Sequence, residues 1–280
     1  MNQLGSAKNG AVQAAISQFG TFARQRELLA LGISTRQIRA AVEAGAVVQM
    51  ARGHYGLPGV GGQDIYLARH QAQRTCLSKV RELGLWQLQE PEKVHVAAAH
   101  GRPIPGCVVH KLPAGQTLLG ILRQCVACGT ELEGLITLES AVVAKMCTII
   151  DLQVEFARRG DKSARAIVEM IDPQSMAITE TAGRYHLRMA GHNVQGQAYV
   201  RDAGHLDLLV DGVLGVEIDG RQFHDSENGW REDLRRDTMY VLRGVWRLRI
   251  PAEVVLYHPE IMLKWVSQAL AMICSAPRPR

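Results

Sequence analysis

From His205 to His224 the chain reads His-Leu-Asp-Leu-Leu-Val-Asp-Gly-Val-Leu-Gly-Val-Glu-Ile-Asp-Gly-Arg-Gln-Phe-His. Two aliphatic stretches flank Asp211-Gly212, and Asp207, Glu217 and Asp219 stand inside them. Strands disfavour Asp, so acids at these places need solvent or a chemical role. Strand alternation puts Leu214, Val216 and Ile218 on one face and Gly215, Glu217 and Asp219 on the other. Carboxylates that converge on one sheet face offer oxygen ligands to a hard cation such as Mg2+ or Mn2+. Convergence depends on the turn. A two-residue Asp211-Gly212 loop sends Asp207 and Glu217 to opposite faces. A three-residue loop, Val210-Asp211-Gly212, with Gly212 left-handed and a bulge, reverses that parity. It sets Asp207 across from Gly215 and diagonal to Glu217, and groups Leu206 and Leu208 with Leu214 and Val216. The apolar pattern agrees only with this second register, which is therefore expected.

The acids need elements around them. A helix opened by Asp172-Pro-Gln-Ser and closed by Gly191 carries Glu180 on its apolar side, with Met176, Gly183 and Leu187. A carboxylate aimed at a core requires a partner. The metal site is one, and Arg247 or Arg249 is the alternative. After the hairpin come a helix with Asp233, Arg236 and Asp237, a strand from Val245 to Ile250, and a last helix from Ile261 to Cys274.

Three segments are expected in an α+β chain. Residues 1–58 read as a winged helix-turn-helix, a helix-helix-helix-hairpin pattern from about Ala11 to Pro58: the second helix over Ala23 to Leu31, a turn at Gly32, a third helix opened by the capping box Ser34-Thr-Arg-Gln37, and a hairpin around Arg52-Gly53. Arg36, Arg39 and Arg52 are its candidate DNA contacts, and a small packing module with exposed arginines is the alternative. Residues 59–172 form a helical, mixed middle region with strands at Val94 and Cys107 and helices over Leu118 to Cys128 and Leu138 to Arg158. Its Cys107-x-x-His110 and Cys125-x-x-Cys128 spacing suits zinc. The cysteine pair falls in a helical run without turn glycines, however, and Cys107 and His110 alternate across a strand, so core packing is expected instead. Residues 173–280 form the third segment, the acidic one.

Composition bounds the class. The 280 residues suffice for two domains, and 32 Lys and Arg, weighted toward Arg, against 27 Asp and Glu give a net charge of +5. That balance suits a nucleic-acid partner. The N-terminus has no apolar signal core, and the apolar run from Ile261 is interrupted by Lys264 and Gln268 and too short to span a bilayer. A cytoplasmic protein without a membrane partner is expected, its six scattered cysteines reduced.

With these pieces in place, residues 175–270 resemble the Vsr-like domains of the PD-(D/E)XK nuclease superfamily. The resemblance rests on Ser175 with Glu180, Gly191 with Gln197, Asp207, Glu217-Ile-Asp219-Gly220, His224, Asp233-x-x-Arg236-Asp237, and Gly244 with Arg249. Asp219 stands where many members of the wider superfamily have lysine, an absence shared by Vsr-like relatives. Residues 15–58 are similar to the winged helix of AbiEi-type antitoxins, in Leu28-Leu-Ala-Leu-Gly-Ile-Ser and Arg52-Gly-His-Tyr. The resemblance implies a restriction-endonuclease-like mixed β-sheet flanked by helices and an Mg2+- or Mn2+-dependent endonuclease acting on duplex DNA. Asp207 and Glu217 would hold the metal, Glu180 and Asp219 would complete or orient the shell, and His224 would handle the proton. No small-molecule cofactor is expected. A DNA-binding repressor or antitoxin with a degenerate nuclease fold, serving a cognate toxin or other defence-system protein, is the alternative. Removing one acid from a repelling cluster predicts that Glu217→Gln leaves the fold intact or slightly more stable when no metal is bound.

Overall fold

A computed structural model describes residues 3–113, 116–220 and 227–275, with the side chains of 3–9, 227–230 and 232–233 set aside. The described residues form an α+β structure with three small sheets. The chain divides into two compact units, residues 1–84 with 90–124 and residues 85–89 with 125–280. The stretch 59–172, expected as one middle region, is shared between them.

The first unit starts with α1 (Gln3–Ser17), β1 (Phe22–Arg24), α2 (Gln25–Ala30), α3 (Thr35–Glu43), β2 (Val48–Ala51) and β3 (His54–Gly56). The helix expected over Ala23 to Leu31 is shorter than its pattern suggests. Phe22, Ala23 and Arg24 pair instead with Gly56, Tyr55 and His54 of β3. This three-stranded sheet, in the order β1-β3-β2, buries Phe22 and Ala23. The box at Ser34 forms as expected: the Gln37 N–H donates to Ser34 Oγ, and the Gln37 side chain accepts from the Ser34 N–H. Ile38 and Ala41 face the core with Val12, Ile16, Leu28 and Val47, while Arg36 and Arg39 are exposed. Arg52 is exposed in the β2–β3 turn, where Gly53 takes φ +73°.

α4 (Gly62–Arg69), β4 (Gln73–Arg74), a 3-10 turn over Cys76–Ser78, β5 (Val94–Ala97) and β6 (Cys107–His110) follow. β5 pairs antiparallel with β4 and parallel with β6. Val94, Val96, Cys107 and Val109 pack with Leu67, Ala68 and Ile104. α5 (Leu118–Cys128) starts in this unit, and its last four residues belong to the second.

The second unit continues with α6 (Glu131–Val143), α7 (Ile149–Glu155), α8 (Lys162–Glu169) and α9 (Ile178–Met189). The single helix expected from Leu138 to Arg158 is two helices, because Lys145 is left-handed (φ +57°) and Thr148 caps α7 with Asp151. Then come β7 (Val194–Val200), β8 (Gly204–Val210), β9 (Leu214–Asp219), α10 (Glu227–Leu242), β10 (Trp246–Pro251), α11 (Ala252–Tyr257) and α12 (Pro259–Ser275). The mixed sheet runs β10-β9-β8-β7, with β10 parallel to β9 and the other pairs antiparallel. Leu208, Val210, Leu214 and Val216 form the main core with Leu187, Val255, Met262 and Val266. α9 approaches the sheet closely at Gly183, where an added Cβ would stand 3.0 Å from Leu208 and 3.2 Å from Ile218. Among the described residues no helix is long and apolar enough to cross a membrane.

Candidate functional site

The β8–β9 turn puts the acids in place. Val210 pairs with Leu214 and Leu208 with Val216, so the loop is Asp211-Gly212-Val213. The parity is the expected one and Gly212 is left-handed (φ +72°), but the register is two residues from the expected one, and Leu209, not Asp207, lies across from Gly215. Asp211 is also left-handed (φ +50°), and its carboxylate accepts from the Asn193 N–H at 2.9 Å and contacts His192 Nδ1 at 2.8 Å. Those contacts give a strained residue a reason to be Asp.

β8 is distorted at Asp207. Leu206 leaves the main core and packs with Ala203 and Tyr240, and its methyls lie 2.8 Å from where a Cβ on Gly215 would stand. Leu206 thus parts from Leu208, Leu214 and Val216, with which it was expected. On the neighbouring strand Gln197 adopts φ +46°. The Ile218 N–H donates to Asp207 Oδ2 at 2.7 Å in place of a backbone carbonyl. Asp207 therefore points along the sheet toward β9.

Glu180, in the first turn of α9, is buried. Its partners are neither of the arginines proposed for it. The Met176 N–H donates to Oε2 at 3.0 Å and the Gln197 amide at 2.9 Å. Burial pushes the Glu180 carboxyl above the ordinary range, these two hydrogen bonds pull it back, and the charge of Asp207 pushes it up again. Asp207 is raised too, chiefly by burial, with the Ile218 N–H and Arg236 opposing and Asp219 reinforcing. Two desolvated carboxylates, of which Asp207 raises Glu180, gain from a nearby cation.

Glu217 is placed differently. Its Oε1 accepts from Arg236 Nη2 at 3.1 Å and from the Tyr240 hydroxyl at 3.2 Å, and its Oε2 from Arg247 Nη2 at 2.6 Å. Arg247 also meets Asp237, and Arg236 donates to the carbonyls of Ala203 and His205. Asp219 forms a two-pronged pair with Arg249, at 2.7 and 2.6 Å. Among the described residues no three of these carboxylates lie within 4.8 Å of one another. The donor chemistry of Glu180 and Asp207 suits a hard divalent cation. That of Glu217, already balanced by two guanidiniums, does not in this arrangement. His224 and its loop lie outside the described residues.

Sequence reasoning missed two constellations. Glu139 and Arg184 form a fully buried ion pair in the second unit. In the first, Cys107 enters the core while His110, its partner by spacing, lies with Cys76 and His95. Neither set is local in sequence, and no motif joins its members. Compared with family models, curated proteins and solved structures, the chain shows no match.

Proposed function

We propose that the second unit is a divalent-cation-dependent phosphodiester hydrolase of restriction-endonuclease type, and that a winged-helix module in the first delivers it to duplex DNA in the cytoplasm. The observation that carries this reading is the pair Glu180 and Asp207, two desolvated carboxylates held above their ordinary range beside the distortion of β8. Desolvated acids with a shared neighbourhood are candidates for a functional site. A four-stranded mixed sheet with helices against it, and Asp207 at its centre, supports the nuclease-type fold.

Asp207 and Glu180 would hold Mg2+ or Mn2+, with Asp219 completing the acidic shell. Such a cation polarises a phosphate and lowers the pKa of a bound water. Gln197 and the Met176 N–H orient Glu180, and the Ile218 N–H orients Asp207. Arg236 and Arg247 hold Glu217 in reserve beside them and supply positive charge toward phosphate. His224 keeps its sequence-based role in proton transfer. In the first unit, the capped α3 with exposed Arg36 and Arg39, and the hairpin turn with Arg52, support a recognition helix and wing.

One observation favours a second reading. A Glu217 bound by two arginines is what a nuclease fold retained as a scaffold would contain. The chain would then be a DNA-binding repressor or antitoxin with a toxin or other defence-system protein as partner. Incubation with supercoiled plasmid and with RNA, in Mg2+, Mn2+ or EDTA, separates the two. The hydrolase reading expects metal-dependent nicking that Asp207→Asn slows by about 100-fold or more without weakening DNA binding. Tight DNA binding with no cleavage under any metal, together with promoter repression, establishes the second reading.

A further inference from the structure

β5 and β6 carry apolar residues on one face and histidines on the other. Val94, Val96, Cys107 and Val109 enter the first unit's core. The register sets His95 beside Val108 and Ala97 beside His110, so the histidines are diagonal neighbours on the face away from that core. His95 Nδ1 lies 3.2 Å from His110 Nε2. The chain leaving β4 brings Cys76 to the same place. The Thr75 N–H donates to the His95 carbonyl at 3.0 Å, and the His95 N–H donates to Ser78 Oγ at 2.8 Å. The Cys76–Ser78 turn is thereby fixed to His95 from both sides. Cys76 Sγ and one ring nitrogen of each histidine all lie within 4.8 Å of one another.

Cys76 is fully buried and left-handed, with φ +53°. A non-glycine residue is strained there, and such strain persists only where the surrounding structure holds it in place. A hydrogen bond between the two imidazoles accounts for their approach to each other. It does not account for a thiol held against both by a strained turn.

We propose that Cys76, His95 and His110 bind a zinc ion. A thiolate and two imidazoles form a borderline-soft donor set, which zinc prefers over Mg2+. Tetrahedral zinc with ordinary bond lengths separates two ligand nitrogens by about 3.3 Å and a nitrogen from a sulfur by about 3.6 Å. The histidine separation of 3.2 Å already matches the first value. Binding deprotonates the Cys76 thiol and releases that proton to solvent; the proton shared between the imidazoles moves to the outer nitrogen of the ring that carried it, and two bonds to the metal replace that hydrogen bond. The ion clasps the turn after β4 to both parallel strands. This site belongs to the first unit and does not depend on the carboxylates of the second.

The test is the metal content of the full chain, expressed with added zinc and purified without chelator. About one zinc per chain is expected. Cobalt added to the metal-stripped chain should give a thiolate-to-cobalt absorption band. Cys76→Ser and His110→Ala should each weaken zinc binding by at least about 10–100-fold. Cys107→Ser, which alters the opposite face of β6, should keep the metal. Should the ligand variants fail to fold, the cobalt spectrum of the wild-type chain decides the matter. No zinc and no thiolate band, or full zinc content in Cys76→Ser, overturns the assignment.

Discussion

Arg247 reaches Glu217 diagonally across the parallel pair of β9 and β10, with Nη2 2.6 Å from Oε2. The register sets Arg247 beside Gly215 and Arg249 beside Glu217. The guanidinium crosses to the next acid along β9, and both side chains are mostly shielded, at 13% and 11% exposure. Arg236 closes on the same carboxylate from α10. Glu217 is thus the anion between two cations, and not one member of a repelling acidic group.

That geometry reverses the sign of one expectation. Glu217→Gln removes a charge that balances Arg236 and Arg247, so it should destabilise the second unit by roughly 2–4 kcal/mol instead of leaving it unchanged. Combining it with Arg247→Met should recover part of the loss, because one stranded cation goes with its partner. Denaturant midpoints of the two variants check this. A Glu217→Gln chain as stable as wild type would restore the repelling-cluster picture.

Glu180 and Asp207 set a pH dependence of the opposite kind. Both carboxyls are raised by burial. The native chain therefore keeps protons that the unfolded chain has lost, and stability falls as pH rises from the ordinary carboxylate range through these raised values. Without divalent cation, the thermal midpoint of the second unit should drop across that window, and Asp207→Asn should flatten the drop. Mg2+ should restore wild-type stability at the upper end and leave Asp207→Asn unmoved. A profile identical in both chains would show that Asp207 is solvated alike in the folded and unfolded states.

Glu139 and Arg184 form a buried ion pair in the second unit. Glu139 is 0% and Arg184 1% exposed, and Glu139 also accepts from the Asp172 N–H at 2.7 Å and from the Thr181 hydroxyl. Asp172 lies 3.9 Å from the other guanidinium nitrogen. Glu139→Ala strands a cation and two further donors in the interior, and should cost about 3–5 kcal/mol or prevent folding. Arg184→Met should be no milder, since it strands the carboxylate. Replacing both with residues of matching volume should be better tolerated than either single change, a double-mutant result that an exposed pair would not give.

Local signals carried well and non-local ones did not. The Ser34 box, the face shared by Leu208 and Val216, the left-handed Gly212 and the buried Glu180 all follow from neighbouring residues. The Thr148-x-x-Asp151 box was equally local, and it breaks the helix expected through it. Ala23 and Arg24 read as helix because their partners, Tyr55 and His54, lie about thirty residues on. Glu139 sits in an apolar helical run 45 residues before Arg184, so periodicity marks it as an error in a core and not as half of a pair. Cys76, His95 and His110 share no motif because the sheet, not the spacing, joins them. The register error at Asp207 has a similar origin: the loop begins at left-handed Asp211, whose carboxylate meets His192 and Asn193, 19 and 18 residues back.

α3 is fixed at its start by Ser34 and Gln37 and held to the core by Ile38 and Ala41, so its outer face presents Arg36 and Arg39 from a rigid support. Neither arginine helps to pack the unit, and replacing both with Ala should leave its unfolding midpoint within about 0.5 kcal/mol of wild type. If they meet DNA phosphates, the double variant binds duplex more weakly, and the slope of log affinity against log salt shrinks by about one for each phosphate no longer neutralised. If one of them reads a base edge instead, affinity for a preferred sequence falls while the salt slope changes less. Arg52→Ala, in the hairpin turn, should weaken binding further and independently. Titration of labelled duplex at several salt concentrations measures all three quantities. Affinity and slope that stay at wild-type values in the triple variant would mean that this unit recognises a protein and not DNA.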